Sequence, residues 1–159
     1  WMLNHKDKLH NSHYGSDIDY VLISKNPPGI VLFEDYKPCW RDEEGKKVWD
    51  VVTMSQIVTF NTVKILAPVI LVYGPPDGPF SIAEYMDGDF PPNPCRVGIR
   101  CIAKDIDWKR FGEIENLVKA WYESGHRGLP AIDGEEFEVK WINGANNKDF
   151  EFRAPLEER

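Results

Sequence analysis

A chain of 159 residues, 42% hydrophobic and 13% aromatic, can bury a core of its own and lacks the polar bias of a disordered polypeptide. Its net charge of −7 excludes a uniformly basic nucleic-acid surface, while leaving room for a local basic strip and for the acidic side chains that a metal site uses. Cys39, Cys95 and Cys101 form neither a CxxC pair nor a disulfide framework, which argues against structural zinc and for a reducing, intracellular (cytoplasmic or nuclear) setting. The longest apolar run, Ile65 to Tyr73, is strand-sized and contains Pro68, so no membrane span is expected. A single domain over residues 1–159 is expected, with its core at about 14–125, either as a whole protein or as a fragment of a longer chain.

In chain order, residues 1–13 read as a polar lead-in; His5, His10 and His13 are read as solvated rather than as metal ligands. Ile18 to Ser24 and Ile30 to Tyr36 are strands rich in β-branched and aromatic residues, separated by an Asn26-Pro27-Pro28-Gly29 turn. The charged stretch Trp40 to Lys47 follows, and then a short strand or strand-to-helix junction from Val48 to Met54. Ser55 is the expected N-cap of a helix from Gln56 to about Leu66, with Ile57, Phe60, Val63 and Leu66 at three-residue steps. Pro68 stops it, and the continuous apolar run Val69 to Tyr73 reads as a strand buried on both faces. Phe80 to Met86 is a further strand, Asp87-Gly88-Asp89 to Pro94 a loop, and Arg96 to Ala103 an edge strand. The clearest helix is capped by Asp105 or Asp107, carries the stripe Phe111, Ile114, Leu117, Val118, Trp121 and Tyr122, and closes at Gly125. Phe137 to Ile142 alternates as a last strand, and the charged tail from Asn146 is expected to fray.

The first two strands carry the chemistry. If they pair as a hairpin, Asp17 and Asp19 lie at the same end as Asp35 and Lys37. Strand parity puts Asp35 and Lys37 on one face and Glu34 and Tyr36 on the other. Asp19 with Asp35 offers the carboxylate pair that magnesium takes alongside water and phosphate oxygens. Lys37 beside them can orient or deprotonate an attacking water, or stabilise charge developing on a phosphate. Most D-x-K pairs are solvated ion pairs; the context here is an Asp-bearing strand, a tight turn and an apolar approach (Ile30 to Phe33) that ends abruptly in charge. Asp19 is favoured over Asp17 because it sits further into the strand, and Glu34 is the fallback ligand if a bulge shifts the register.

In these residues the chain resembles the PD-(D/E)XK nuclease superfamily, whose pattern is an Asp on one strand and (D/E)-x-K near the end of the next. Asp17-Ile18-Asp19 and Asp35-Tyr36-Lys37 carry that pattern, Gln56 with Phe60 is similar to the Q-x-x-x-Y element of the RecB-like branch, and Val69 to Tyr73 matches the apolar strand that follows. The resemblance covers about residues 14–90. It implies a restriction-endonuclease-like α/β fold, a mixed central β-sheet flanked by helices. It further implies hydrolysis of nucleic acid, DNA rather than RNA, with Mg2+ or Mn2+ on Asp19, Asp35 and Asp17, and with Lys37 and Gln56 as further site residues. A protein partner or homodimer is compatible with it. Two departures stand out: Gly15-Ser16 replaces the proline before the first Asp, and little chain precedes the motif for the upstream helix. They keep a non-catalytic binding or assembly domain of the same fold as one alternative. Another is a nucleotidyltransferase of the polymerase-β type, with Asp17, Asp19 and Asp50 as its carboxylates; the Gly-Ser phosphate cradle of that family is not at its usual distance.

Overall fold

The structure is a computed structural model that describes residues 18–41, 44, 47–49, 52–89, 96–132 and 139–143; of these, 39–41, 47–49, 54, 89, 96 and 139–143 are described in backbone alone. His5, His10, His13, Asp17, Asp50 and the charged tail lie outside the described residues.

β1 (Tyr20–Lys25) and β2 (Pro28–Arg41) form the expected antiparallel hairpin, with Lys25 opposite Pro28 and Tyr20 opposite Glu34. Its register is broken once: Leu22 pairs with Leu32 but Ile23 pairs with Ile30, so Val31 is the extra residue of a β-bulge. Val31 and Leu32 consequently face the same side, and every later residue of β2 changes face relative to a count made from the turn. The far end of β2 pairs antiparallel with β3 (Lys47–Trp49).

α1 (Met54–Val63) then carries the chain back to β4 (Val69–Gly74), which lies parallel to β2 from Phe33/Val69 to Pro38/Gly74. A parallel pair cannot be joined by a tight turn, so the helix is the crossover that this pairing requires. All six residues of β4 are buried, as its unbroken apolar run leads one to expect. β5 (Phe80–Asp89) and β6 (Arg96–Ile106) continue antiparallel, α2 (Trp108–Glu123) follows, and β7 (Val139–Asn143) pairs with β6. The sheet order is β1-β2-β4-β5-β6-β7, with β3 attached to β2. This is an α/β fold with a mixed sheet and a helix packed on each face.

The two faces have separate cores. On one, Ile57 and Phe60 of α1 pack on Phe33, Leu71, Tyr73, Ala83 and Tyr85. On the other, Phe111, Ile114 and Val118 of α2 pack on Leu32, Ile70, Val72, Phe80 and Ile82. Leu71 and Tyr73 serve the first core and Ile70 and Val72 the second, the period-two alternation of a strand buried on both sides.

Three assignments differ from the sequence expectation, and at α2 the structure selects one of the two expected caps. α1 is capped by Thr53, not Ser55, and it ends at Val63, with Ile65 and Leu66 exposed, because the chain must turn to reach Pro68 and β4. Asp87, Gly88 and Asp89 are strand rather than loop, since pairing with Gly98, Val97 and Arg96 outweighs the local turn signal of glycine. Arg96–Ile106 is interior rather than an edge, because β7 covers its outer side. α2 is capped by Asp107, whose side chain accepts from Arg110 N–H at 2.8 Å; Leu117 of the expected stripe is exposed.

Among the described residues no helix is long and apolar enough to cross a membrane.

Candidate active site

β2 brings Asp35 and Lys37 to the α1 face of the sheet, where each is only 2% exposed. The Lys37 Nζ donates to Asp35 Oδ2 at 2.7 Å and to Gln56 Oε1 at 2.7 Å. Gln56 Nε2 in turn donates to the same Asp35 Oδ2 at 3.3 Å, closing a three-membered ring of side chains. An ammonium and a carboxylate this deeply buried are tolerable only as a hydrogen-bonded pair.

The helix start holds Gln56 in place. It is the third helical residue after the Thr53 cap: Thr53 Oγ1 accepts from Gln56 N–H at 3.3 Å, while Gln56 Oε1 accepts from Thr53 N–H at 3.1 Å. This is a capping box whose side-chain oxygen serves two donors at once, the helix cap and the lysine. The amide orientation follows from its neighbours, because the reverse would set an NH2 group against an ammonium and a backbone N–H. Gln56 is therefore the third helical residue, its side chain turned to Asp35 and Lys37.

Asp19 joins from across the hairpin. Because Tyr20 opposes Glu34, the residue before β1 reaches the level of Asp35, and Asp19 Oδ2 accepts from Tyr36 N–H at 2.7 Å. Burial pushes the Asp35 carboxyl from its ordinary 3.8 up to about 6; the charge and hydrogen bond of Lys37 pull it down, and those of Asp19 push it up again. Asp19 and Asp35 are thus neighbours that repel, an arrangement that a divalent cation relieves. Among the described residues no group of three or more His, Cys, Asp or Glu side chains is placed to hold a metal. Two carboxylates are what magnesium commonly takes from a protein, waters and phosphate filling its other positions.

Of the residues singled out in the sequence, Asp19, Asp35, Lys37 and Gln56 are brought together here. Comparison of the chain with protein-family models, curated proteins and solved structures finds no match to any of them. Cys101 is buried away from this cluster, in the core that α1 covers. Asp87 does not sit in a cation-binding loop: its Oδ1 pairs with Lys64 at 3.3 Å and accepts from Gly88 N–H at 2.9 Å.

On the opposite face lies a second acidic feature that the sequence reading passed over. β2 is in unbroken register with β4 through residues 33–38, so Glu34 cannot swing round to join Asp35. It instead faces α2, where it meets Glu115; burial first, and then the hydrogen bond and charge of Glu115, push the Glu34 carboxyl from 4.5 up to about 9. A signal for this was present. Phe111, Ile114, Glu115 and Val118 fall at the spacing of one helix face, which makes Glu115 the polar member of an apolar stripe.

Proposed function

We propose that this chain is a restriction-endonuclease-like nuclease, hydrolysing phosphodiester bonds of nucleic acid, DNA rather than RNA, with Mg2+ or Mn2+ on Asp19 and Asp35. The observation that carries the reading is the Lys37 ammonium fixed between Asp35 and Gln56, beside Asp19 and near the C-terminal end of the β2/β4 parallel pairing. Open α/β sheets bind ligands outside the carboxyl ends of parallel strands, which is where this cluster stands. The hairpin, the crossover helix opening near Gln56 and the parallel apolar strand support the same family resemblance.

A divalent cation, when bound, supplies Lewis acidity toward a phosphoryl oxygen. The chain's own residues do the rest. Asp19 and Asp35 are the residues that would hold that cation. Lys37 presents a fixed positive charge to a non-bridging oxygen or to the attacking water, and it costs no reorganisation because Gln56 and Asp35 already hold it. Gln56 sets the direction of the ammonium and is itself locked by the helix cap.

The test is incubation with single- and double-stranded DNA and RNA in Mg2+ or Mn2+, compared with chelator. Metal-dependent cleavage is expected, with Lys37→Met reducing the rate about 10²–10³-fold, the usual size for removing one transition-state donor. Cleavage that survives Lys37→Met and Asp35→Asn unchanged sinks the proposal. One observation favours a second reading, a non-catalytic binding or assembly domain: Asp35 and Lys37 are almost fully buried and bonded to each other. That reading expects no turnover with either metal.

A further inference from the structure

The face of the sheet opposite the Asp35 cluster holds a cavity of about 490 Å³ between β2, β4 and α2, of a size that suits a small organic molecule. Its walls are mostly apolar. Phe80 and Trp108 meet edge-on with ring centroids 4.8 Å apart, and Trp108 and Phe111 do so at 5.8 Å. Trp108 is 59% exposed, an unusual cost for a large aromatic unless something covers it, and it lines the opening. Three carboxyl groups also line the cavity: Glu34, Glu115 and Asp19.

Glu34 is the most informative of these. It is 7% exposed, and its Oε1 has no hydrogen-bond partner among the described residues. A buried acceptor left unmatched costs the full desolvation of that atom, and such atoms are rare unless a ligand or water completes them. Glu115, a second acid, lines the same cleft. An apolar cleft that ends in two acids, one of them with an unmatched buried oxygen, fits a particular kind of guest. It must bring a positive charge, offer N–H donors, and present a flat or apolar body to the aromatic walls.

We propose that this cleft binds a small organic cation carrying N–H donors, a protonated amidine, guanidine or amine on a flat apolar body, held by Glu34 and Glu115 and covered by Phe80, Trp108 and Phe111. The cation's N–H groups supply the donor that Glu34 Oε1 lacks. Cation–π attraction to the ring faces adds to this in a site shielded from water. Among the described residues lining the cleft, the remaining ionisable groups are Asp19 just before β1, Tyr20 on β1 and Tyr36 on β2; none is positive, and Tyr36 already donates its hydroxyl to Gly74 O at 2.5 Å. An anionic guest is repelled here. The inference does not rest on the nuclease reading, since it uses neither Lys37 nor a metal.

Isothermal calorimetry of the intact chain with benzamidine tests it, using benzamide as the uncharged ligand of the same shape. Benzamidine is expected to bind, and benzamide at least about tenfold more weakly, the size of a charge-assisted hydrogen bond. Glu115→Gln is expected to weaken benzamidine by about tenfold or more while the circular dichroism spectrum is retained. Trp108→Ala, a change at an exposed position, is expected to weaken it severalfold through the lost ring. Equal binding of the two ligands, no heat from benzamidine at millimolar concentration, or undiminished affinity in Glu115→Gln overturns the proposal.

Discussion

Replacing Lys37 by methionine keeps the length of the side chain and removes its charge from a site that is 2% exposed. Asp35, equally buried, then keeps only the Gln56 Nε2 donor at 3.3 Å among the described residues. Breaking a buried ion pair from one side costs about 3–5 kcal/mol, because a charge stays behind without its partner. At about 2–4 °C per kcal/mol for a chain of this size, the melting temperature should fall by about 6–20 °C. The loss should depend on pH. In the native protein the Asp35 pKa of about 6 already lies above its ordinary 3.8, so the folded state binds more protons between those values. Stability from this group is therefore greatest below about 4 and falls as pH rises through about 6. Without Lys37 the carboxyl takes its proton at still higher pH, so the decline extends further, with a slope of about 1.4 kcal/mol per pH unit. The variant should accordingly stand close to wild type in acid and furthest below it in mild alkali. Urea unfolding followed by tryptophan fluorescence in chelator, at mildly acidic and mildly alkaline pH, reads this directly. Asp35→Asn should flatten the decline, and the double variant should recover most of what Lys37→Met loses. A loss below about 1 kcal/mol in mild alkali, or one that does not vary with pH, would falsify the buried pair as drawn.

Glu34→Gln keeps a donor toward Glu115 and cannot ionise; since the Glu34 pKa is raised to about 9, wild-type stability should decline as pH rises from 4.5 through about 9. The variant should escape that decline and be more stable at the alkaline end by at least about 1.4 kcal/mol, the worth of one pKa unit; equal melting temperatures of the two proteins there would show that Glu34 is not held protonated. Gly88→Ala places a methyl 2.3 Å from the Tyr85 hydroxyl and 2.7 Å from Ile57 Cγ2, against the first turn and a half of α1. Overpacking of this kind costs about 1–3 kcal/mol by denaturant titration, and because Ile57 adjoins Gln56, cleavage should fall with it; an unchanged midpoint would mean that α1 yields freely.

Much of this protein is written into its local sequence. The β-branched runs on either side of Asn26-Pro27 define the hairpin, the unbroken Val69–Tyr73 run defines a strand buried on both faces, and the stripe of Phe111, Ile114 and Val118 defines the face that α2 buries. These signals are legible because they depend on residue type and period alone. The grouping of Asp19, Asp35 and Lys37 was legible for the same reason, since hairpin pairing and strand parity bring them to one end.

Other features were decided only when distant segments met. The Val31 bulge sets which helix Asp35 faces, and a bulge is a compromise between two strands that neither announces by itself. Gln56 acquires its part from Thr53 and Lys37 together, a cap and a lysine nineteen residues away in sequence, rather than from its own helix propensity. Glu34 reads in the sequence only as a fallback ligand; the packing of α2 on the sheet is what buries it against Glu115 and leaves an oxygen unmatched. Period and residue type fix which face of an element is apolar, but what a polar side chain on that face meets depends on the element packed against it.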